Sequence, residues 1–115
     1  MKITYKILLV TFVSTLISCK ADCDWNANVY RSEECLIIVD ELSPATTTTM
    51  SIKGISIVDG KYTVSSENHR WWYLYRDQIE RGDTIIKRKG ELTFNIHKKD
   101  TILTYNWECE GKIYE

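Results

Sequence analysis

Along most of this chain apolar residues recur at every second position, a period that is clearest over residues 91–109. In Glu91-Leu92-Thr93-Phe94-Asn95-Ile96-His97 the residues Leu92, Phe94 and Ile96 alternate with polar neighbours, which puts them on one face of a β-strand. Past Lys98-Lys99 the alternation resumes, with Leu103, Tyr105, Trp107 and Cys109 on one side and Thr104, Asn106 and Glu108 on the other. Two alternating runs with so short a charged link predict a hairpin. Residues 83–88 read as a strand that the turn Lys89-Gly90 separates from the hairpin, and Glu110-Gly111 turns the chain into a last short strand, Lys112-Ile113-Tyr114.

In the N-terminal half, residues 36–39, 52–58 and 71–75 are rich in β-branched and aromatic side chains and predict strands. Asp59-Gly60 is a turn leading into residues 61–64, and Ser43-Pro44-Ala45 with the four threonines 46–49 forms a long connection. The one helix this pattern suggests is a turn or two around Asp77-Gln78-Ile79-Glu80-Arg81, stopped by Gly82. The expected architecture is mainly β: a small antiparallel meander forming a sandwich or partly closed barrel. Leu92, Phe94, Ile96, Leu103, Tyr105 and Trp107 should share its core face.

The first eighteen residues stand apart from this pattern. Lys2 and Lys6 precede an apolar run over residues 7–17, which is too short to span a hydrocarbon core of roughly 30 Å as a helix. The run reads as a signal peptide, and it ends in Leu16-Ile17-Ser18-Cys19, which resembles the lipobox of bacterial lipoprotein precursors. The resemblance implies that Cys19 is lipidated on sulfur, becomes the new N-terminus and is then N-acylated, so that two or three chains such as palmitate anchor the protein without spanning the membrane. Residues 19–34 would then be a lipidated tether and residues 35–115 a single β domain. Lys20 follows the acceptor, where enterobacterial lipoproteins retained at the inner membrane carry Asp, so the expected address is the outer membrane of a Gram-negative cell envelope, facing periplasm or surface.

Composition narrows the picture further. The 115 residues carry a net charge of −1, and removing 1–18 takes away two lysines and leaves −3, so no global field attracts nucleic acid. With Cys19 used for lipid, Cys23, Cys35 and Cys109 remain for an oxidising compartment, enough for one bridge and one leftover thiol. Cys23 lies in the polar segment next to the anchor, whereas Cys35 opens an apolar strand and Cys109 closes one. That placement favours Cys35–Cys109, with Cys23–Cys109 as the main rival.

Catalytic chemistry has little to stand on. The chain has no Gly-x-Ser-x-Gly, His-Glu-x-x-His or phosphate-loop motif, and neither His69 nor His97 has a ligand partner at metal spacing. Neither metal, cofactor nor enzyme activity is expected. His69 belongs to a polar loop and His97 to the polar face at a strand end. Lys87-Arg88-Lys89 and Lys98-Lys99 read as solubilising turns, and Glu33-Glu34 with Asp40-Glu41 as charged flanks that protect an apolar strand from edge aggregation.

The segment Arg70-Trp71-Trp72-Tyr73-Leu74-Tyr75-Arg76 sets four large aromatics between two arginines. In a strand one of Trp71 and Trp72 must face away from the other, so Arg70, Trp71, Trp72, Tyr73, Tyr75 and Arg76 form a candidate binding face. The competing reading buries one side in the core and covers the other with a loop. Residues 82–87, 96–103 and 107–109 resemble those of small, uncharacterised Bacteroidota lipoproteins, a likeness that implies location and fold but no chemistry. Two functions fit: an anchored binding or structural module for a protein or glycan partner, or an immunity or inhibitor lipoprotein neutralising a periplasmic toxin or enzyme. The latter would use a loop such as residues 43–51 or 65–70.

Overall fold

The computed structural model describes residues 21–43, 50–67 and 70–115. The period-two stretches become strands β1 (Cys35–Leu42), β2 (Met50–Ser56), β3 (Tyr62–Glu67), β4 (Thr84–Lys87), β5 (Thr93–His97) and β6 (Ile102–Asn106). They pair antiparallel in the order β3-β2-β1-β4-β5-β6, an open sheet whose edges are β3 and β6. Strands β7 (Glu108–Cys109) and β8 (Lys112–Ile113) form a separate two-stranded ribbon around Glu110-Gly111. The mainly β, antiparallel class read from the alternation is therefore the class of the fold. No described helix is long and apolar enough to cross a membrane.

One face of the sheet carries the core. Ile37 and Val39 of β1, Met50 and Ile52 of β2, Ile85 of β4 and Phe94 and Ile96 of β5 are buried together, as period two requires of strands with one covered face. Strand β1 holds the centre, hydrogen-bonded to β2 and β4, and its register with β2 slips between Val39 and Glu41. Opposite the slip, Gly54 lies so close to β1 that a Cβ would sit 1.9 Å from the Ile38 carbonyl oxygen, so no other residue fits there.

Two helical pieces cover this face, α1 (Ala21–Arg31) and the single turn α2 (Arg70–Tyr73), and a 3₁₀ turn at Arg76–Gln78 leads on to the buried Ile79. The first corrects the expectation of a polar tether over residues 19–34, since Cys23 and Ala27 are buried. Cys23, Ala27 and Tyr30 recur at spacings of four and three, one stripe of a helix, while Asp22 and Asp24 in the first turn and Arg31 in the last suit its dipole. An eleven-residue helix is marginal alone, so tertiary bonds hold it. The second corrects the strand expected over residues 71–75. A strand would send one tryptophan to solvent, whereas the helical turn sets both on the sheet, Trp71 3% and Trp72 1% exposed. Trp72 stacks on Phe94 at 5.5 Å, so burial overrides the aromatic β-propensity of the segment.

The disulfide joins Cys23 to Cys109, and not Cys35 to Cys109. Cys35 opens β1 in the middle of the six-stranded sheet, whereas Cys109 belongs to the separate β7–β8 ribbon. Helix α1 instead brings Cys23 to a Cα distance of 5.9 Å from Cys109. Cys35 stays outside the bridge, buried in the core.

Lys87 is the largest departure from a solubilising turn. It is 0% exposed, and its Nζ donates to the carbonyls of Tyr30 at 2.6 Å, Glu33 at 2.7 Å and Arg88 at 3.0 Å. The ammonium thus neutralises the carbonyl end of α1, where a cation is favoured. Glu33, expected as an exposed flank, is also buried.

Candidate functional site

Where α1, α2 and the edge strand β6 meet, the covering layer leaves a cleft of about 590 Å³. Tyr30 comes from α1, Trp71 from α2, Leu74 and Tyr75 from the turn after it, and residues 104–108 from β6 and the start of β7. The spacing of Trp71 and Tyr75, one helical turn apart, puts both on the sheet side, and the parity of Tyr105 and Trp107 turns them toward the same layer. Tyr30 packs at 5.7 Å from Trp71 and edge-on at 5.3 Å from Trp107, while Tyr75 and Tyr105 lie parallel at 3.8 Å. Trp107 meets Tyr114 edge-on at 5.1 Å, which ties the wall to the C-terminal ribbon. Leu74, 71% exposed, overhangs this aromatic wall.

Burial holds the Tyr75 phenol above its ordinary pKa of 10.0. The Trp71 indole N–H acts the other way, and the charges of Tyr105 and Glu108 add to the rise. Tyr75 is thus a neutral hydroxyl throughout the physiological range, and the cleft offers mostly aromatic surface, Glu108 being the one acidic or basic side chain among its lining residues. Among the described residues no cluster of His, Cys, Asp and Glu has the arrangement of a metal site.

Strand β6 contributes Thr104, Tyr105 and Asn106 to the cleft lining. The Thr104 hydroxyl donates to Asn95 Oδ1 at 2.8 Å and the Thr93 hydroxyl to Asn106 Oδ1 at 3.4 Å, so both side chains are engaged on the outer face of the sheet. That outer face also carries a register row, Tyr62, Ile55, Ile38, Thr84, His97 and Ile102, of which Tyr62, Ile55, Ile38 and Ile102 are exposed.

The candidate binding face of residues 70–76 divides. Trp71 and Tyr75 enter the cleft wall, and Trp72 is core beneath it. Tyr73 is half-buried against the core. Arg76 points elsewhere, its Nε donating to the Ser43 carbonyl at 2.9 Å and its Nη2 to the same oxygen. Arg70 begins α2. Cys19, His69 and the loop tip 44–49 lie outside the described residues. Lys98, expected as a solubilising turn, pairs with Asp83 at 2.6 Å.

Sequence reasoning missed Tyr30, Leu74 and the cleft-lining role of residues 104–108. The helical spacing of Cys23, Ala27 and Tyr30 was the available signal for the first, but nothing local joins it to β6. Comparison with known proteins finds no matching family, no similar curated protein and no similar solved structure.

Proposed function

We propose that this chain is a lipid-anchored envelope protein whose β domain is a binding module, with the aromatic cleft as its binding surface. The cleft carries the reading: five aromatic rings from three separate stretches of the chain line one concavity of ligand-pocket size, with the exposed Leu74 at its rim. Tyr and Trp supply large contact area at little conformational cost, which is why they dominate binding hot spots. The lipobox residues Leu16-Ile17-Ser18-Cys19 supply the anchor, and acylation of Cys19 would hold the module at the outer membrane of a Gram-negative cell.

Two substitutions test the two halves separately. Cys19→Ala should abolish labelling by a fatty-acid analogue, and persistent labelling would refute the anchor. Leu74→Glu adds a charge at an exposed rim position, so the melting temperature should stay within a few degrees. Binding of the envelope partner captured by the unaltered domain should be lost. Equal capture by the variant would place the binding surface elsewhere.

A further inference from the structure

In an antiparallel ladder, successive residues direct their main-chain N–H and C=O groups alternately to one neighbour and to the other. Trp107 N donates to the Leu92 carbonyl at 3.1 Å and Lys98 N to the Thr101 carbonyl at 2.8 Å, and the pairs Phe94–Tyr105 and Ile96–Leu103 lie in register between them. Leu103 and Tyr105 therefore direct their backbone to β5, whereas Ile102, Thr104 and Asn106 direct theirs outward. Strand β6 ends the sheet, so no described strand meets those outward groups.

This row of main-chain donors and acceptors runs along the aromatic cleft, which Thr104, Tyr105 and Asn106 help to line. We infer that the partner of the binding module is an extended peptide that adds to β6 as a seventh, antiparallel strand; the inference rests on the cleft being the binding surface and names the class of its ligand. Peptide residues opposite Thr104 and Asn106 exchange paired main-chain hydrogen bonds with them and set their side chains on the outer face. The residue between them, opposite Tyr105, sends its side chain to the inner side, into the space bounded by Tyr105, Tyr75 and Trp71. The ligand pattern follows: apolar or aromatic at alternate positions, polar between. Main-chain bonds supply register and affinity, and the cleft supplies the side-chain preference. The other edge, β3, likewise meets no further described strand but has none of these aromatic residues beside it.

The probe is a displayed library of linear heptapeptides selected on the purified lipid-free domain. Enriched peptides should carry an apolar residue at every second position, quench the cleft tryptophans and slow amide hydrogen exchange at Thr104 and Asn106. N-methylation of the two peptide amides that face Thr104 and Asn106 should weaken binding about tenfold, as loss of two net hydrogen bonds implies. N-methylation of the amide between them should have little effect. Peptides that quench the tryptophans but bind equally after either N-methylation would overturn strand addition while leaving the cleft as the binding surface. Failure to enrich any peptide would overturn the peptide assignment, and the Leu74→Glu capture assay then decides separately whether the cleft binds another class of partner. A dimer in sedimentation with Thr104 and Asn106 already protected would also overturn it, assigning the edge to a second copy of this chain.

Discussion

Replacing Lys87 by Met tests how α1 is held to the sheet. Methionine keeps the length and apolar stem of the side chain and removes the ammonium, so the cavity term is small. What is lost is a charged donor whose three short bonds reach the carbonyls of Tyr30 at 2.6 Å, Glu33 at 2.7 Å and Arg88 at 3.0 Å, with a fourth, longer contact to Arg31 at 3.5 Å. Hydrogen bonds to a charged group contribute about 1.5–3 kcal/mol each, and a buried carbonyl left without its donor costs about 1–3 kcal/mol. Two effects reduce the sum: the ammonium no longer has to be desolvated, and water reaches the Arg88 carbonyl, because that residue is exposed. The net expectation is a loss of about 3–4 kcal/mol, a large part of the 5–15 kcal/mol typical of a whole domain. Urea unfolding followed by tryptophan fluorescence measures it, since Trp71, Trp72 and Trp107 all leave the core on unfolding. The midpoint should fall with the slope unchanged, and melting should drop by roughly 15–25 °C at about 4–8 °C per kcal/mol. A change under about 1 kcal/mol, or a more stable variant, would refute the reasoning, because an apolar isostere would then satisfy the helix end as well as the cation does.

Three further outcomes follow from the same contacts. Phe94→Ala should destabilise the domain by about 3–5 kcal/mol, since Phe94 is fully buried under Trp72, and Thr93→Ala on the outer face should cost far less; equal losses in chemical denaturation would show the face assignment to be wrong. Cys23→Ser opens a bridge across a separation of 86 residues and should cost about 2–5 kcal/mol under oxidising conditions, whereas Cys35→Ser should leave the number of disulfides in non-reducing mass analysis unchanged. Tyr75 has a folded-state pKa above 10.0, so its stabilising share is complete below that pH and is lost as pH rises through the folded value. Stability should therefore fall at alkaline pH, and Tyr75→Phe should flatten the fall; an unchanged slope between the two proteins would remove Tyr75 as its source.

Local patterning was enough to define the strands of the C-terminal half and which of their faces is buried. Period two is a local property, and a one-residue slip would expose Leu92, Phe94 and Ile96 together, so the register of β5 and β6 could be read without knowing what covers them. The turns at Lys89-Gly90 and Glu110-Gly111 were legible for the same reason, since glycine at a positive φ marks the reversal, 88° at Gly90 and 78° at Gly111. Tertiary structure alone decided the rest. Residues 71–75 carry the composition of a strand, yet only a helical turn lets Trp71 and Trp72 both reach the sheet, a gain that local propensity does not contain. Lys87 stands in a run of surface-type residues and is buried because the carbonyl end of α1 lies over it. Cys23 pairs with Cys109 because that helix carries it to the C-terminal ribbon, while Cys35 is buried within β1. The candidate site was the least legible of all. Its aromatics sit at positions 30, 71, 75, 105 and 107, on elements that share no sequence signal, and they form one cleft only when α1 and α2 close over the edge of the sheet.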